Sequence, residues 1–249
     1  MKIIVSGIGG RMGKALCELS ATGFRGTTIV AGCDIVPMIS EQFPIHTSLS
    51  DIAVEADCIV DFSHHTGTKE LLDYAVKTSL PVVLATTGHT EEEYRYIENA
   101  AKKIPVFHSA NMSVGIALLV ELAKTTAKAF PDANIEIIEK HHNRKLDAPS
   151  GTALLLANAI REIREKATYV FGRHGQAKRT ENEIGIHAIR MGNIIGEHEV
   201  IVGTDTQTIT LKHEAHSRAL FAEGALVAAD YLIGQPAGLY DMKNMLTEE

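Results

Sequence analysis

The chain has 249 residues, of which 45% are hydrophobic and 22% charged, an ordinary balance for a soluble globular protein of one large or two modest domains. A net charge of −7 excludes the basic excess of a general nucleic-acid binder, and no apolar stretch reaches the roughly 20 residues of a membrane span. Cys17, Cys33 and Cys58 are widely spaced without a C-x-x-C pair, which fits reduced apolar side chains and neither a disulfide framework nor a zinc site.

The first part of the chain alternates short β-rich runs with helical stretches. Met1-Lys2 leads directly into a strand over Lys2–Ser6, with no secretory leader, so a cytoplasmic location is predicted. A helix over Arg11–Thr22 and a strand over Thr27–Cys33 follow. Further strands are predicted over Cys58–Phe62, Pro81–Ala85 and Ile104–His108, with helices over Thr68–Lys77 and Glu91–Lys102. Unbroken Val/Ile-rich strands separated by helices predict an α/β fold, with a Rossmann-like doubly wound parallel sheet. The pattern then changes. A helix from Val114 to Phe130 and a strand over Ile135–His141 precede a helix from Gly151 to about Lys166. Three strands, Ile184–Arg190, His198–Val202 and Thr208–Leu211, predict a smaller α+β domain with a mixed sheet. Ser217 is the expected N-cap of a final alanine-rich helix reaching Ile233, which should pack back on the first domain. The expected boundaries are 1–112 with 217–249 for a dinucleotide-binding domain and 113–216 for a substrate-binding one.

Gly7-Ile8-Gly9-Gly10-Arg11-Met12-Gly13 follows the first strand and opens the first helix. G-x-G-x-x-G fails at Met12, but G-x-x-G-x-x-G is satisfied by Gly7, Gly10 and Gly13. Glycines let the backbone turn tightly and approach a pyrophosphate seated on the helix N-terminus. The second strand ends at Asp34, 21 residues beyond Gly13, where a carboxylate can bind the adenosine ribose hydroxyls. Asp34 disfavours a 2′-phosphate and Ile35-Val36-Pro37 supplies no arginine to hold one. NADH is the preferred donor, with NADPH as the alternative. At the carboxyl ends of later strands stand Phe62-Ser63-His64, Ala85-Thr86-Thr87-Gly88 and Ser109-Ala110-Asn111-Met112. Thr86, Thr87 and Asn111 suit a ribose or an amide, or equally ordinary turn chemistry.

The stretch from Glu139 to Ala153 places His141, His142, Arg144 and Lys145 at a strand end, just before a helix. This basic cluster should attract an anionic substrate and lower the pKa of its cationic members by like-charge repulsion. The Ser150-Gly151-Thr152 turn offers helix N-terminal N–H groups to a carboxylate. Adjacent residues on a strand face opposite ways, so His141 and His142 should not share a metal, and no metal is expected. One should transfer protons and the other contact substrate.

This segment resembles the E-x-H-H-x-x-K-x-D-A-P-S-G-T-A motif of the 4-hydroxy-tetrahydrodipicolinate (dihydrodipicolinate) reductases, with every specified position filled from Glu139 to Ala153. Gly7–Gly13, Ala85–Gly88, Ser109–Gly115, the stretch with Arg190, Gly192, Gly196 and Glu197, and Gly238–Met242 match as well. One departure is His65, where the family often has proline. The resemblance implies a reductase of lysine and diaminopimelate biosynthesis that takes a small cyclic dicarboxylate and forms homotetramers through the second domain's sheet. It implies catalytic roles for His141 and Lys145, and substrate binding by His142, Gly151 and Thr152. It implies cofactor binding by Gly7, Ile8, Gly9, Gly10, Arg11, Met12, Asp34, Ala85, Thr86, Thr87, Ser109, Ala110, Asn111 and Met112. Two other functions fit parts of the sequence: a different NAD-dependent dehydrogenase acting on a small anionic amino acid, and a non-catalytic nucleotide sensor. Neither needs the arrangement from His141 to Thr152.

Overall fold

The computed structural model describes residues 1–247. The chain forms two compact units, Met1–Ser113 with Ala219–Glu249, and Val114–Arg218. In chain order the first unit begins with β1 (Lys2–Ser6), α1 (Arg11–Ala21), β2 (Thr28–Cys33), β3 (Ile45–His46) and β4 (Cys58–Asp61). It continues with α2 (Thr68–Thr78), β5 (Val82–Leu84), α3 (Glu91–Ala101) and β6 (Pro105–His108). The second unit comprises α4 (Val114–Ala129), β7 (Asn134–His141), α5 (Gly151–Ile163), β8 (Thr168–Phe171), β9 (Glu183–Arg190), β10 (Gly196–Gly203) and β11 (Thr208–Ala215). The chain then returns to the first unit with α6 (Ala219–Leu232), β12 (Gly238–Tyr240) and α7 (Met242–Thr247).

Seven parallel strands in the order β12-β6-β5-β4-β1-β2-β3 form the first unit's sheet. Its central strands are buried on both faces, as the consecutive residues Ile3, Ile4 and Val5 of β1 and Cys58, Ile59 and Val60 of β4 show, which is why they read as continuous apolar runs. Each such buried side chain stabilises the fold by about 1.5–3 kcal/mol. The sequence of α6 is rich in alanine for a packing reason. Ala222, Ala225, Ala228 and Ala229 are buried, and the helix lies against β4, β5 and β6 and against α1. It is not the last element, because β12 pairs with β6 and α7 follows. Three residues carry too little periodicity to announce β12 as a strand.

The second unit's sheet has the order β11-β10-β7-β9-β8, antiparallel from β11 to β7 and parallel from β7 to β8. One face packs on α4 and α5 through Ile135, Ile137, Leu156, Ile160 and Val200. Helix α5 stops at Ile163, short of the expected Lys166. Arg164 leaves helical geometry there and donates to the carbonyls of Ala133 and Phe130, beyond the end of α4. Thr168–Phe171, beyond both the expected and the observed helix end, form β8, which the sequence reading did not anticipate. Among the described residues no helix is long and apolar enough to cross a membrane.

Candidate active site

In the first unit, β1 delivers the glycine turn to the start of α1. Gly7 has φ +77°, and a side chain there would strike the backbone of Phe62 at 2.7 Å. A side chain at Gly13 would collide with the Ile8 carbonyl, so this turn closes only around glycine. Helix α1 starts from an extended Gly10 with no side-chain cap and no acidic residue in its first turn. Neither a capping side chain nor an acidic residue of its own first turn occupies its N-terminal N–H groups, a condition that suits a pyrophosphate. Asp34 ends β2 beside this turn, where Oδ2 accepts the Gly9 N–H at 2.9 Å and Oδ1 the Val36 N–H at 3.1 Å. Ile35 and Ile39 beyond it are almost fully exposed, and no cation stands among them.

Arg11 is exposed and Met12 half-buried, whereas Ile8 and Met112 lie in the interior. Those two can serve a ligand only through their backbone or by holding the loops. Thr86 is also committed, because its buried hydroxyl donates to Asp61 Oδ2 at 2.7 Å. Ala85 donates its N–H to the Asp61 carbonyl, and Thr87 is exposed. The Ser109 hydroxyl donates to the Asn111 carbonyl at 2.8 Å, Asn111 Oδ1 accepts the Ser113 N–H at 2.9 Å, and Ala110 is exposed. His65, at the family's proline position, is held by Glu93 at 2.9 Å, and Glu93 is also the third residue of the Thr90 capping box of α3. The Thr90 N–H first, then His65, keeps the Glu93 carboxyl at about 2. The departure from proline thus replaces a rigid residue with a hydrogen-bonded one. His89 and His108 pack edge-on at 5.2 Å beside Tyr94, and burial holds His108 at about 4.

In the second unit the strand period dictates the site. Ile135, Ile137, Glu139 and His141 of β7 share the helix-covered face, so a glutamate stands where the pattern calls for a core residue. Glu139 is fully buried and satisfied on all sides. Arg190 of β9 makes two bonds to it, 2.7 and 2.8 Å, the Ser150 N–H donates at 3.0 Å, and His141 Nδ1 lies 2.5 Å away. Burial pushes the Glu139 carboxyl up, but the bonds from His141, Arg190 and Ser150 outweigh it and hold it at about 2. With Glu139 ionised, His141 Nδ1 is the donor and Nε2 the nitrogen left for chemistry. A side chain at Gly196 would come within 3.1 Å of that Nε2, so glycine keeps the space beside it clear.

The loop after β7 is tied down at both ends of a short turn. Met191 donates its N–H to the His141 carbonyl, Asn143 donates to the Gly192 carbonyl, and Lys145 donates to the His142 carbonyl. His142 lies just past the end of β7 and is half-buried. Burial lowers its pKa first, and the charges of Arg144, Arg218, His141 and Lys145 lower it further, as the basic cluster predicted. Lys145 pairs with Asp147 at 2.8 Å, which lowers the Asp147 carboxyl. Ser150 caps α5 by accepting the Ala153 N–H at 3.2 Å, Gly151 is exposed with open space where a side chain would be, and Thr152 is half-buried. The Ala148–Pro149 bond before this cap is cis.

The structure thus brings His141, His142, Lys145, Gly151 and Thr152 to one loop and helix start in the second unit, and the glycine turn and Asp34 together in the first. Sequence reasoning missed Glu139, Arg190 and His198. Glu139 opens the matched motif and stands on an apolar face, and Arg190 lies in a matched stretch, but neither match carries a role; sheet register sets His141 opposite Arg190 and Glu139 opposite His198.

Comparison with known proteins agrees with this architecture. The dihydrodipicolinate reductase N-terminus family model matches residues 1–112, and the corresponding C-terminus model residues 115–246. The 4-hydroxy-tetrahydrodipicolinate reductase of Caldanaerobacter subterraneus is 46% identical over 250 residues, covering 99% of this chain and 98% of that protein. That of Clostridium novyi is 48% identical over 247 residues, covering 98% of each. A dipicolinate-bound dihydrodipicolinate reductase from Paenisporosarcina shares the fold with a TM-score of 0.84 at 24% identity, over 100% of this chain and 99% of that one. The chain belongs to the dihydrodipicolinate reductase family.

Proposed function

We propose that this chain reduces 4-hydroxy-tetrahydrodipicolinate to tetrahydrodipicolinate, with loss of water, at the expense of a reduced nicotinamide nucleotide. The observation that carries the reading is the ionised, buried Glu139 fixing His141 beside the basic loop and the capped start of α5. A nucleotide sensor has no need of such an arrangement, and membership of the reductase family does not favour an amino-acid dehydrogenase.

The first unit is the dinucleotide-binding domain. The Gly7–Gly13 turn fits a pyrophosphate because it closes only around glycine and leads to an uncapped helix start. Gly7, Ile8, Gly9, Gly10, Arg11 and Met12 hold it, with Asp34 on the adenosine ribose and the loops Ala85–Thr87 and Ser109–Met112 toward the nicotinamide. When bound, this cofactor supplies the hydride delivered to C4 of the dehydrated, unsaturated imine. NADH is preferred over NADPH, since Asp34 opposes a 2′-phosphate and Ile35, Val36 and Met38 offer no countercharge.

The second unit binds substrate. The first turn of α5, from Ser150 through Thr152, seats one carboxylate, and His142 with its cationic neighbours seats the other. Charge that develops on the substrate away from C4 is quenched by a proton from Lys145 or from His141 Nε2. Glu139 holds His141 by Nδ1 and leaves Nε2 for this step. The sheet face away from α4 and α5 carries Lys140 between Glu197 and Glu199, at 3.0 and 3.2 Å. This flat, charge-laced face is the surface through which the chain forms a homotetramer, measurable by light scattering. The reaction belongs in the cytoplasm.

The test follows loss of reduced-nicotinamide absorbance on adding freshly generated 4-hydroxy-tetrahydrodipicolinate, with NADH and NADPH in parallel. Rapid, substrate-dependent oxidation, faster with NADH, is expected. Nucleotide binding without oxidation by either cofactor would discard the reading.

A further inference from the structure

His198 lies on β10, directly across the ladder from Glu139 of β7 and, on its other side, from His213 of β11. It is only 4% exposed. Its Nε2 is 3.1 Å from the Ser150 hydroxyl, and its ring meets the His141 ring edge-on at 5.2 Å and 73°. Its Nδ1 is buried with no hydrogen-bond partner. Ser150 is the hinge of this cluster. Its N–H donates to Glu139, its hydroxyl oxygen accepts the Ala153 N–H, and the same hydroxyl meets His198. One imidazole therefore touches both the acid–base histidine and the residue that starts the carboxylate-binding helix turn.

We propose that His198 is a positioning residue of the reductase, which as an uncharged imidazole fixes the His141 ring and the Ser150 cap in one geometry. This rests on the function proposed above. The neutral state follows from the surroundings. Burial opposes charge, and His141, His213 and Lys145 add positive neighbours against the single carboxylate of Glu139, so His198 is held at about 4. A charged His198 would set a second cation against His141 just where His141 must gain and release a proton. Neutral, it packs against the ring and ties it to Ser150 without competing for that proton. The unpartnered Nδ1 is consistent with a side chain kept for this contact, since a core position serving stability alone would be filled at lower cost by an apolar residue.

The test pairs two variants with one measurement on the unmodified protein. His198→Phe keeps the ring contact and removes the link to Ser150. His198→Gln restores a hydrogen-bonding group. The expected result is a fall in kcat of about tenfold or more for the phenylalanine variant, with the acidic limb of its pH profile displaced. NADH affinity is unchanged, and the glutamine variant recovers part of kcat. Wild-type kcat and pH profile in His198→Phe would overturn the proposal. Should that variant fail to fold, imidazole nitrogen chemical shifts of the wild-type protein decide the matter. They should show His198 neutral at pH 6 and above, and a cationic His198 at pH 6 would contradict the proposal. Failure of the wild-type protein to oxidise nucleotide with the substrate would instead sink the proposed function.

Discussion

Both units place a loop between a strand and a helix start, and they equip it for an anion in opposite ways. In the first unit the site is built from missing side chains, with Gly7 and Gly13 at positions where a Cβ would strike backbone and α1 left without a side-chain cap. In the second it is built from side chains, with Ser150 capping α5 and Glu139, Arg190, His141 and His198 packed behind it. On the proposed function the first design lets a phosphate group approach the backbone at close range, with the Asp34 carboxylate beside the turn. The second, on the same proposal, supplies protons and charge, and it ties the buried Glu139 to Arg190, Ser150 and His141. Under the proposed function the two designs divide the labour: recognition of the nucleotide falls to backbone geometry, and chemistry to a buried, hydrogen-bonded network.

The contrast can be broken most forcefully at Glu139. Glu139→Gln leaves Arg190 without its carboxylate and His141 without its anionic partner. The expected loss is about 3–5 kcal/mol of stability in the second unit, with a large fall in turnover. Thermal unfolding and steady-state kinetics check this. Acid acts on the same group. The Glu139 carboxyl lies at about 2 in the folded protein against an ordinary 4.5, so its contribution is present above about pH 4.5 and is lost as pH falls towards 2. That is at most about 3 kcal/mol. Acid titrations of unfolding should show this loss in the wild type and a flatter curve in Glu139→Gln.

On the first unit's side the effects are smaller. Gly7→Ala forces a left-handed φ and a 2.7 Å approach to the Phe62 carbonyl, expected to cost about 1–3 kcal/mol. It should weaken NADH binding while the chemical shifts of His141 and His198 stay in place, as two-dimensional NMR can record. Smallest is the change in nucleotide preference. Asp34→Ser with Ile35→Arg should move the NADPH-to-NADH ratio of kcat/KM by about tenfold, or roughly 1.4 kcal/mol, toward NADPH. An unmoved ratio would show that Asp34 serves only the Gly9 turn.

The same contrast explains what could be read in advance. The glycine turn, the parallel strands and the Asp34 position are local features, because backbone sterics and buried apolar runs leave marks within a few residues. The two-sheet architecture was legible for the same reason, and His141 through Thr152 share one loop and helix start because they are neighbours in the chain. Arg190 and His198 were not, although they complete the site. They lie 51 and 59 residues from Glu139 in the chain and meet it only through the register of β9 and β10 on β7. Strands β3 and β12 were invisible because two or three residues form no period, and β8, just beyond the expected helix end, has only four.

The most direct test of this division of labour is Lys145→Ala, with NADH affinity measured by fluorescence titration and turnover by nucleotide oxidation on the same preparation. The account predicts NADH affinity within about twofold of wild type and turnover lower by about 10²–10⁴-fold. Unchanged turnover, or a loss of NADH binding that accounts for the lost turnover, would contradict it.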